Sequence, residues 1–140
     1  QDLVPTLFES LKTCVPSDNS AIQQTIHNLS KKYELVLLTN YFGISQLNRL
    51  NNMGIGKYFI ETYGEKLIKP HSEAYIIACG THKPEECVMI GDSLYLDVEC
   101  AKRAELKTIF VNTDNVPIEN LNVVAVNKVE DITDEILNTL

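Results

Sequence analysis

Apolar residues recur along the chain in two alternating patterns. In some stretches they are three or four residues apart, which predicts amphipathic helices, and in others they form short continuous runs, which predict buried strands. The helical pattern covers residues 20–32, 43–53, 72–80, 97–106 and 129–140. The strand pattern covers residues 34–39, 58–63, 86–91, 107–112 and 121–126.

Helices and strands therefore alternate, with short loops between them. This order is typical of a parallel sheet that is covered by helices on both faces. We predict a single domain over residues 1–140, of the Rossmann-like three-layer α/β/α class with a mainly parallel sheet. In such sheets the functional crevice lies beyond the carboxyl ends of the strands. Residues that follow strands are therefore the first candidates for a site.

The composition argues against several kinds of partner. A formal charge of −7, without a cluster of lysine or arginine, does not suit a nucleic-acid-binding surface. No stretch approaches the roughly 20 apolar residues that span a bilayer, and residues 1–10 lack the pattern of a signal peptide. We therefore expect a cytoplasmic protein with buried free thiols, because its cysteines have no metal-binding spacing. These are Cys14, Cys79, Cys87 and Cys100.

Polar residues with complementary chemistry follow the predicted strands. They are Thr39 and Asn40, Lys69 in the loop after strand 58–63, and Asp92, Ser93 and Asp97 after strand 86–91. Each alone has an ordinary explanation as a turn, a helix cap or a solvated lysine. Together, a hydroxyl and a backbone N–H can hold phosphate oxygens, and an ammonium can neutralise a phosphoryl group. Two close aspartates require a counter-ion, and Mg²⁺ with its oxygen ligands supplies one.

Three stretches of the chain resemble motifs of the haloacid dehalogenase-like (HAD) superfamily of phosphohydrolases. "ELVLLTN" is similar to the second motif, "KLIKP" to the third and "VMIGDSLYLDVECAKRAELKTIFVN" to the fourth, which contains GD-x-x-x-x-D. Their order and spacing, with "RLNNMGIGKYF" between them, agree over residues 21–112. The resemblance implies a Mg²⁺-dependent phosphohydrolase that acts on a small phosphorylated metabolite through a phosphoaspartate intermediate.

The resemblance also implies a role for each candidate residue. Thr39 would bind phosphate through its hydroxyl, together with the backbone N–H of Asn40. Lys69 would neutralise the nucleophile and the transferring phosphoryl group. Asp92 would ligate Mg²⁺ and Asp97 would hold that metal site, with Ser93 as an accessory residue.

The first motif of the superfamily, Asp-x-Asp-x-Thr after an apolar strand, is not intact. The nearest match is "DLVPTLFES", which resembles the family's "DLDGTLFDS". In this match Asp2 would be the nucleophile and Thr6 the threonine, whereas Val4 replaces the acid/base and Pro5 the glycine.

A second interpretation of this region is that residues 1–15 are the end of a cap helix. Residues 4–15 have a helical period, and only Gln1 precedes Asp2. The first-motif strand would then be absent, and an N-terminal portion would precede the sequence. Another copy or that missing segment could fill the open groove in the core. Without a nucleophile, we predict little phosphatase activity for this chain.

Other classes of protein use similar residues. A response-regulator receiver has its acidic pair before the threonine and the lysine, whereas here Thr39 and Lys69 precede Asp92. A dinucleotide-binding domain would need G-x-G-x-x-G after a strand, and none is present. The remaining alternative is a non-catalytic module on the HAD scaffold that binds a phosphate or a partner. The missing first motif favours this alternative, and an upstream DxDxT would favour the enzyme.

Overall fold

The computed structural model describes residues 4–8, 20–38, 50–52, 54–63 and 71–140. Six strands form one sheet, in which every strand pair is parallel. The strands are β1 (Val4–Phe8), β2 (Tyr33–Leu38), β3 (Phe59–Tyr63), β4 (Val88–Gly91), β5 (Lys107–Val111) and β6 (Ala125–Val126). Their order across the sheet is β3-β2-β1-β4-β5-β6. The predicted Rossmann-like α/β fold is thereby confirmed.

The strand order indicates where a ligand site is expected, at the carboxyl ends of the strands. The chain winds from β1 outward through β2 to β3, and then from β4 outward through β5 to β6. The order reverses between β1 and β4, and ligands of parallel sheets bind at such a switch point, outside the carboxyl ends of the strands. Phe8 of β1 pairs with Leu37 of β2 on one side and with Ile90 of β4 on the other. The residues that follow Leu37 and Ile90 therefore approach the same edge.

The described helices are short. They are α1 (Ser20–Ser30), α2 (Ser72–Ala78), a π-helix (Leu94–Glu99) that continues into α3 (Cys100–Arg103), and α4 (Asp134–Asn138). Single 3₁₀ turns lie at Gly56–Tyr58, Pro84–Glu86 and Val129–Asp131, and residues 50–52 are helical. Gly80 follows α2 with a φ of 63°, as the glycine that ends a helix commonly does. Within the described ranges, no helix is both long and apolar enough to span a membrane.

Two apolar clusters cover the two faces of the sheet. Successive strand residues point to opposite faces, so Leu35 and Leu37 of β2 belong to one cluster, whereas Val36 and Leu38 belong to the other. The first cluster packs α1 and α4 against the sheet, and the second packs α2 and α3 against it. This burial on both faces explains why β4 is a continuous run of buried residues rather than an alternating one.

The prediction of a helix over residues 4–15 is wrong for residues 4–8, which form β1. A spacing of three and four residues among Val4, Leu7 and Phe8 suits a helix, but pairing with β2 and β4 decides the conformation. Pro5 has no N–H to donate, and β4 pairs with β1 only from Thr6 onward.

The expectation that the core lacks a central strand is also wrong, because β1 occupies that position. Among the described strands, β1 is paired with β2 on one side and with β4 on the other. Self-association stays a prediction. Residues 9–15, the rest of the predicted cap helix, lie outside the described residues.

Other predicted elements differ from the structure mainly at their ends. The helix predicted over 97–106 starts earlier, at Leu94, as a π-helix, and the strand predicted over 121–126 is limited to Ala125–Val126. The helix predicted over 129–140 is divided into a 3₁₀ turn and α4. Most of the helix predicted over 43–53 lies outside the described residues.

Candidate functional site

Strand β4 carries the chain from the core to the crevice. All four of its residues are buried, and it ends at Gly91. Asp92 follows directly and is half-buried, so its carboxylate stands at the boundary between the core and the solvent. This position lies beside the switch point between β1 and β4. One predicted metal ligand is therefore located where a parallel sheet binds its ligands.

The second predicted carboxylate, Asp97, is completely buried, with 0% of its surface exposed. Its Oδ2 accepts a hydrogen bond of 3.0 Å from the backbone N–H of Ser93. Because a buried carboxylate is costly without hydrogen bonds, this contact stabilises the charged side chain inside the fold. Asp97 also lies in the first turn of the π-helix, where the partial positive charge of a helix start favours an anion.

Gly91 makes room for the Asp97 side chain. A Cβ atom on Gly91 would lie 2.7 Å from the Cβ of Asp97 and closer still to its carboxylate, whereas real Cβ atoms essentially never come within 3.0 Å. Any other residue at position 91 would therefore displace the acid. This contact gives a physical reason for the glycine and for the fixed interval between Gly91 and Asp97.

Ser93 organises the turn between the two acids. Its Oγ accepts a hydrogen bond of 3.1 Å from the N–H of Leu96, and its carbonyl accepts one of 2.9 Å from the N–H of Asp97. Ser93 thus caps the π-helix with its side chain and supports Asp97 with its backbone. Ser93 follows Asp92 in the sequence and donates its N–H to Asp97, and its accessory role in the site stays a prediction.

A contact from another helix reaches the same turn. The hydroxyl of Tyr75, on α2, donates a hydrogen bond of 2.6 Å to the carbonyl of Leu96. Tyr75 is fully buried. The sequence does not single out this residue, because a tyrosine on the apolar face of a predicted helix has no feature that distinguishes it from an ordinary core aromatic.

The other predicted site residues lie outside the described residues. They are Asp2, Thr39, Asn40 and Lys69. Their roles remain predictions. The pairing of the described strands nevertheless relates the sequence position of Thr39 to that of Asp92. Thr39 comes two residues after Leu37 and Asp92 two residues after Ile90, and Leu37 and Ile90 are level across the sheet. Asp2, in contrast, precedes the start of β1 in the sequence.

The two acids suit a hard cation. Mg²⁺ is bound by oxygen ligands, commonly one or two carboxylates together with water and the phosphate of a substrate. Asp92 offers a half-exposed carboxylate, and Asp97 a buried one whose position is fixed by Ser93 and Gly91. Within the described part of the chain, no group of three or more His, Cys, Asp and Glu side chains forms a complete metal cluster. The two carboxylates therefore fit a Mg²⁺ site that also uses other oxygens.

The sequence profile of the HAD-hydrolase-like family matches residues 67–137, which is just over half of the chain. The chain belongs to this family. The matched segment contains α2, the turn from Asp92 to Asp97 (the acidic turn) and the strands β4 to β6. The resemblance seen in the sequence is thereby confirmed. No curated protein matches this HAD-family chain in sequence.

Solved structures agree with this assignment. The HAD-hydrolase YfnB from Bacillus subtilis, bound to magnesium, is 25% identical, with a TM-score of 0.67 over 76% of this chain and 50% of that protein. An HAD phosphatase from Thermococcus onnurineus is also 25% identical, with a TM-score of 0.67 over 76% of this chain and 52% of its own. The chain therefore spans about half the length of these two structures.

A third structure matches the fold over nearly the full length of both chains. It is an uncharacterized protein from Listeria monocytogenes serotype 4b, with a TM-score of 0.74 over 97% of this chain and 98% of that one. The sequences are only 18% identical, so the likeness shows a shared fold alone.

Proposed function

We propose that this HAD-family chain forms the core of a Mg²⁺-dependent phosphohydrolase that acts on a small phosphorylated metabolite. One observation carries the proposal. Asp97 is completely buried, accepts a hydrogen bond from Ser93 and lies against Gly91, directly beside Asp92 at the end of β4. A protein core keeps a buried carboxylate in such a place at a cost, and a cation at the adjacent crevice compensates for it.

The register of the sheet supports the proposed phosphate site. β2 and β4 flank β1 and run parallel to it, and neighbouring strands are about 4.8 Å apart, so Leu37 and Ile90 are roughly 10 Å apart across β1. Thr39 and Asp92 each follow two residues later. A phosphate and a hydrated cation together fill a gap of this size. Thr39 and Asn40 would bind the phosphate oxygens from the β2 side.

In the proposed site, each residue of this chain has one task. Asp92 would hold Mg²⁺, and Asp97 would keep the turn and the metal site in place. Lys69 would neutralise negative charge on the phosphoryl group and on a carboxylate nucleophile. When bound, Mg²⁺ stabilises the charge that develops on the phosphoryl oxygens. The resemblance implies an aspartate nucleophile, which the sequence match assigns to Asp2. Asp2 precedes β1, however, whereas the proposed site lies beyond the carboxyl end of β1 at Phe8.

The comparisons favour the enzyme over the non-catalytic binding module. The family to which the chain belongs is one of hydrolases, and one of the two solved structures at 25% identity is described as a phosphatase. Both acids of the fourth motif are also present, with Asp97 buried and hydrogen-bonded. A binding module would not need this costly arrangement.

The experiment measures Mg²⁺ binding by calorimetry, and phosphate release from a panel of small phosphate esters, before and after chelation. We expect Asp92→Asn to weaken Mg²⁺ binding at least about tenfold, because it removes the charge of a metal ligand. Asp114→Asn changes an exposed aspartate in the loop after β5 and is the matched control. Equal Mg²⁺ affinity in wild type and Asp92→Asn would contradict the proposed site.

Turnover tests the nucleophile separately. If the chain releases phosphate and Asp2→Asn abolishes that release, Asp2 is the nucleophile. Glu9→Gln changes the acidic residue that follows the carboxyl end of β1 in the sequence. Loss of turnover in Glu9→Gln but not in Asp2→Asn would contradict the assignment of Asp2 as the nucleophile. Mg²⁺ binding without measurable turnover would agree with the prediction that this chain alone has little activity.

A further inference from the structure

Tyr75 brings a polar atom into an otherwise apolar face of the molecule. The residue lies on α2 within the second cluster, whose other members are aliphatic residues, alanines, cysteines and Met89. Its hydroxyl reaches across to the carbonyl of Leu96, 21 residues later in the sequence, at 2.6 Å. A hydrogen bond this short inside the core is strong, because the surroundings have a low dielectric constant.

The accepting carbonyl belongs to a particular peptide unit. The carbonyl of Leu96 and the N–H of Asp97 are the two polar groups of one planar amide. The hydroxyl of Tyr75 donates to the Leu96 carbonyl of this amide. The Asp97 N–H of the same amide donates to the carbonyl of Ser93 at 2.9 Å. This amide is therefore fixed at both ends. Because the amide is rigid, its orientation determines where the Cα of Asp97 lies.

The local backbone makes such support necessary. The turn is a π-helix, in which the N–H of Cys100 donates to the carbonyl of Tyr95, five residues earlier. π-Helical turns are rare, occur mostly as single turns and are often found at functional sites. In an α-helical turn the N–H of Cys100 would donate to the carbonyl of Leu96. Here it donates to the carbonyl of Tyr95 instead, and the hydroxyl of Tyr75 donates to the carbonyl of Leu96. A bond from outside the turn opposes a change to the α-helical pairing.

We infer that Tyr75 is a positioning residue for the proposed metal site. Its hydroxyl fixes the Leu96–Asp97 amide, and through it the carboxylate of Asp97, so that the acids at the end of β4 present one geometry to a divalent cation. The inference rests on the proposed function, since it concerns the affinity of the same site. It adds a link between α2, which begins three residues after Lys69, and the acidic turn.

The test is Tyr75→Phe, which keeps the ring in the core and removes only the hydroxyl. We expect Mg²⁺ binding, measured by calorimetry, to weaken roughly 10–100-fold, the range found when the partners that orient metal ligands are removed. Amide hydrogen exchange should become faster at Asp97 in the metal-free protein. The matched control is Tyr33→Phe, at a partly buried tyrosine that packs on the first cluster, and both measurements should be unchanged in it.

The outcomes separate the two proposals. If wild type binds Mg²⁺ and Tyr75→Phe binds it equally well, the inference about Tyr75 is wrong and the proposed function stands. A role limited to packing would lower the Tm of Tyr75→Phe and leave the Mg²⁺ affinity of the folded protein unchanged. If wild type does not bind Mg²⁺, the proposed function is wrong. The exchange rate at Asp97 then still decides whether Tyr75 holds the turn, and an unchanged rate overturns that claim.

Discussion

The two faces of the sheet are covered by different kinds of side chain. The first cluster consists of large aliphatic residues from α1, α4 and the strands, among them Ile26, Leu35 and Ile109. The second cluster contains small residues, three free cysteines and the hydroxyl of Tyr75. Even its thiols make polar contacts, since the thiol of Cys87 donates a hydrogen bond of 3.4 Å to the carbonyl of Lys83. From this second face, Tyr75 donates a hydrogen bond to the turn that contains Asp92 and Asp97.

This difference indicates that the two faces contribute differently to stability and to the geometry of the site. Large aliphatic side chains contribute most to stability, because burial and close packing scale with apolar surface. Small residues allow α2 and α3 to approach the sheet closely, so that a tyrosine hydroxyl can reach the backbone of the turn. We therefore expect changes on the first face to alter stability, and changes on the second face and at the turn to alter the geometry of the site.

The largest effect is expected from a cavity in the first cluster. Leu35 is completely buried on β2, and Leu35→Ala should lower the free energy of unfolding by about 2–5 kcal/mol. Urea denaturation measures this loss, and the folded fraction should bind Mg²⁺ as wild type does. The control is Leu121→Ala, at a leucine that is 46% exposed, which should change stability by no more than about 0.5 kcal/mol. A loss of Mg²⁺ affinity in folded Leu35→Ala would contradict the expectation that the first face affects stability and not the site.

A smaller loss of stability, with a larger loss of binding, is expected at the turn. Gly91→Ala forces the Asp97 side chain to move, so Mg²⁺ affinity should fall roughly 10–100-fold. Gly80→Ala is the matched control, because no atom lies within 4 Å of the added Cβ although the φ of 63° is strained. That variant should lose about 1–2 kcal/mol of stability and keep its Mg²⁺ affinity. If Gly91→Ala binds as tightly as Gly80→Ala, the contact with Asp97 does not control the site.

The smallest effect is expected from the ion pair between Lys32 and Asp134, which joins the ends of α1 and α4 on the first face. Both side chains are more than half exposed. The hydrogen bond from Lys32 to Asp134 raises the pKa of Lys32 above its ordinary value of 10.5. The contribution of the pair is therefore complete below that ordinary value, and it is lost as the pH rises through the raised pKa of the folded protein.

Urea midpoints of wild type and Lys32→Ala at neutral pH, and at about pH 12, test this sign. We expect a small difference at neutral pH that disappears at the alkaline pH. Lys31→Ala, at the exposed neighbouring lysine, should show no such pH dependence. A difference that grows at alkaline pH would show that the pair does not act through the charge of Lys32.

The sequence predicted the class of fold, and it singled out two acids in the turn that follows β4. The apolar runs at β2, β4 and β5 are long enough to be recognised, because strands buried on both faces leave few polar interruptions. The GD-x-x-x-x-D spacing identified Asp92 and Asp97, and Gly91 explains that spacing. The roles of Thr39, Asn40, Lys69 and Asp2 stay predictions.

The failures have physical causes. Residues 4–8 have a spacing that fits both a helix and a strand, and only pairing with β2 and β4 selects the strand. The π-helix depends on contacts from Ser93 and Tyr75, which periodicity does not reveal. Tyr75 itself has the sequence pattern of a core residue, and its function depends on a partner 21 positions away. The sequence around Tyr75 does not reveal a hydrogen bond to a residue so far along the chain.

The number of residues between Gly91 and Asp97 matters as well as the identity of Asp92 and Ser93. Insertion or deletion of a single residue would turn the acid away from the glycine and from Ser93, whereas Tyr95 projects half of its surface into solvent and has no such duty. The turn therefore offers an exchangeable side chain beside a fixed acid. Protein engineers could vary position 95 to alter what the crevice accepts while keeping the loop at its native length.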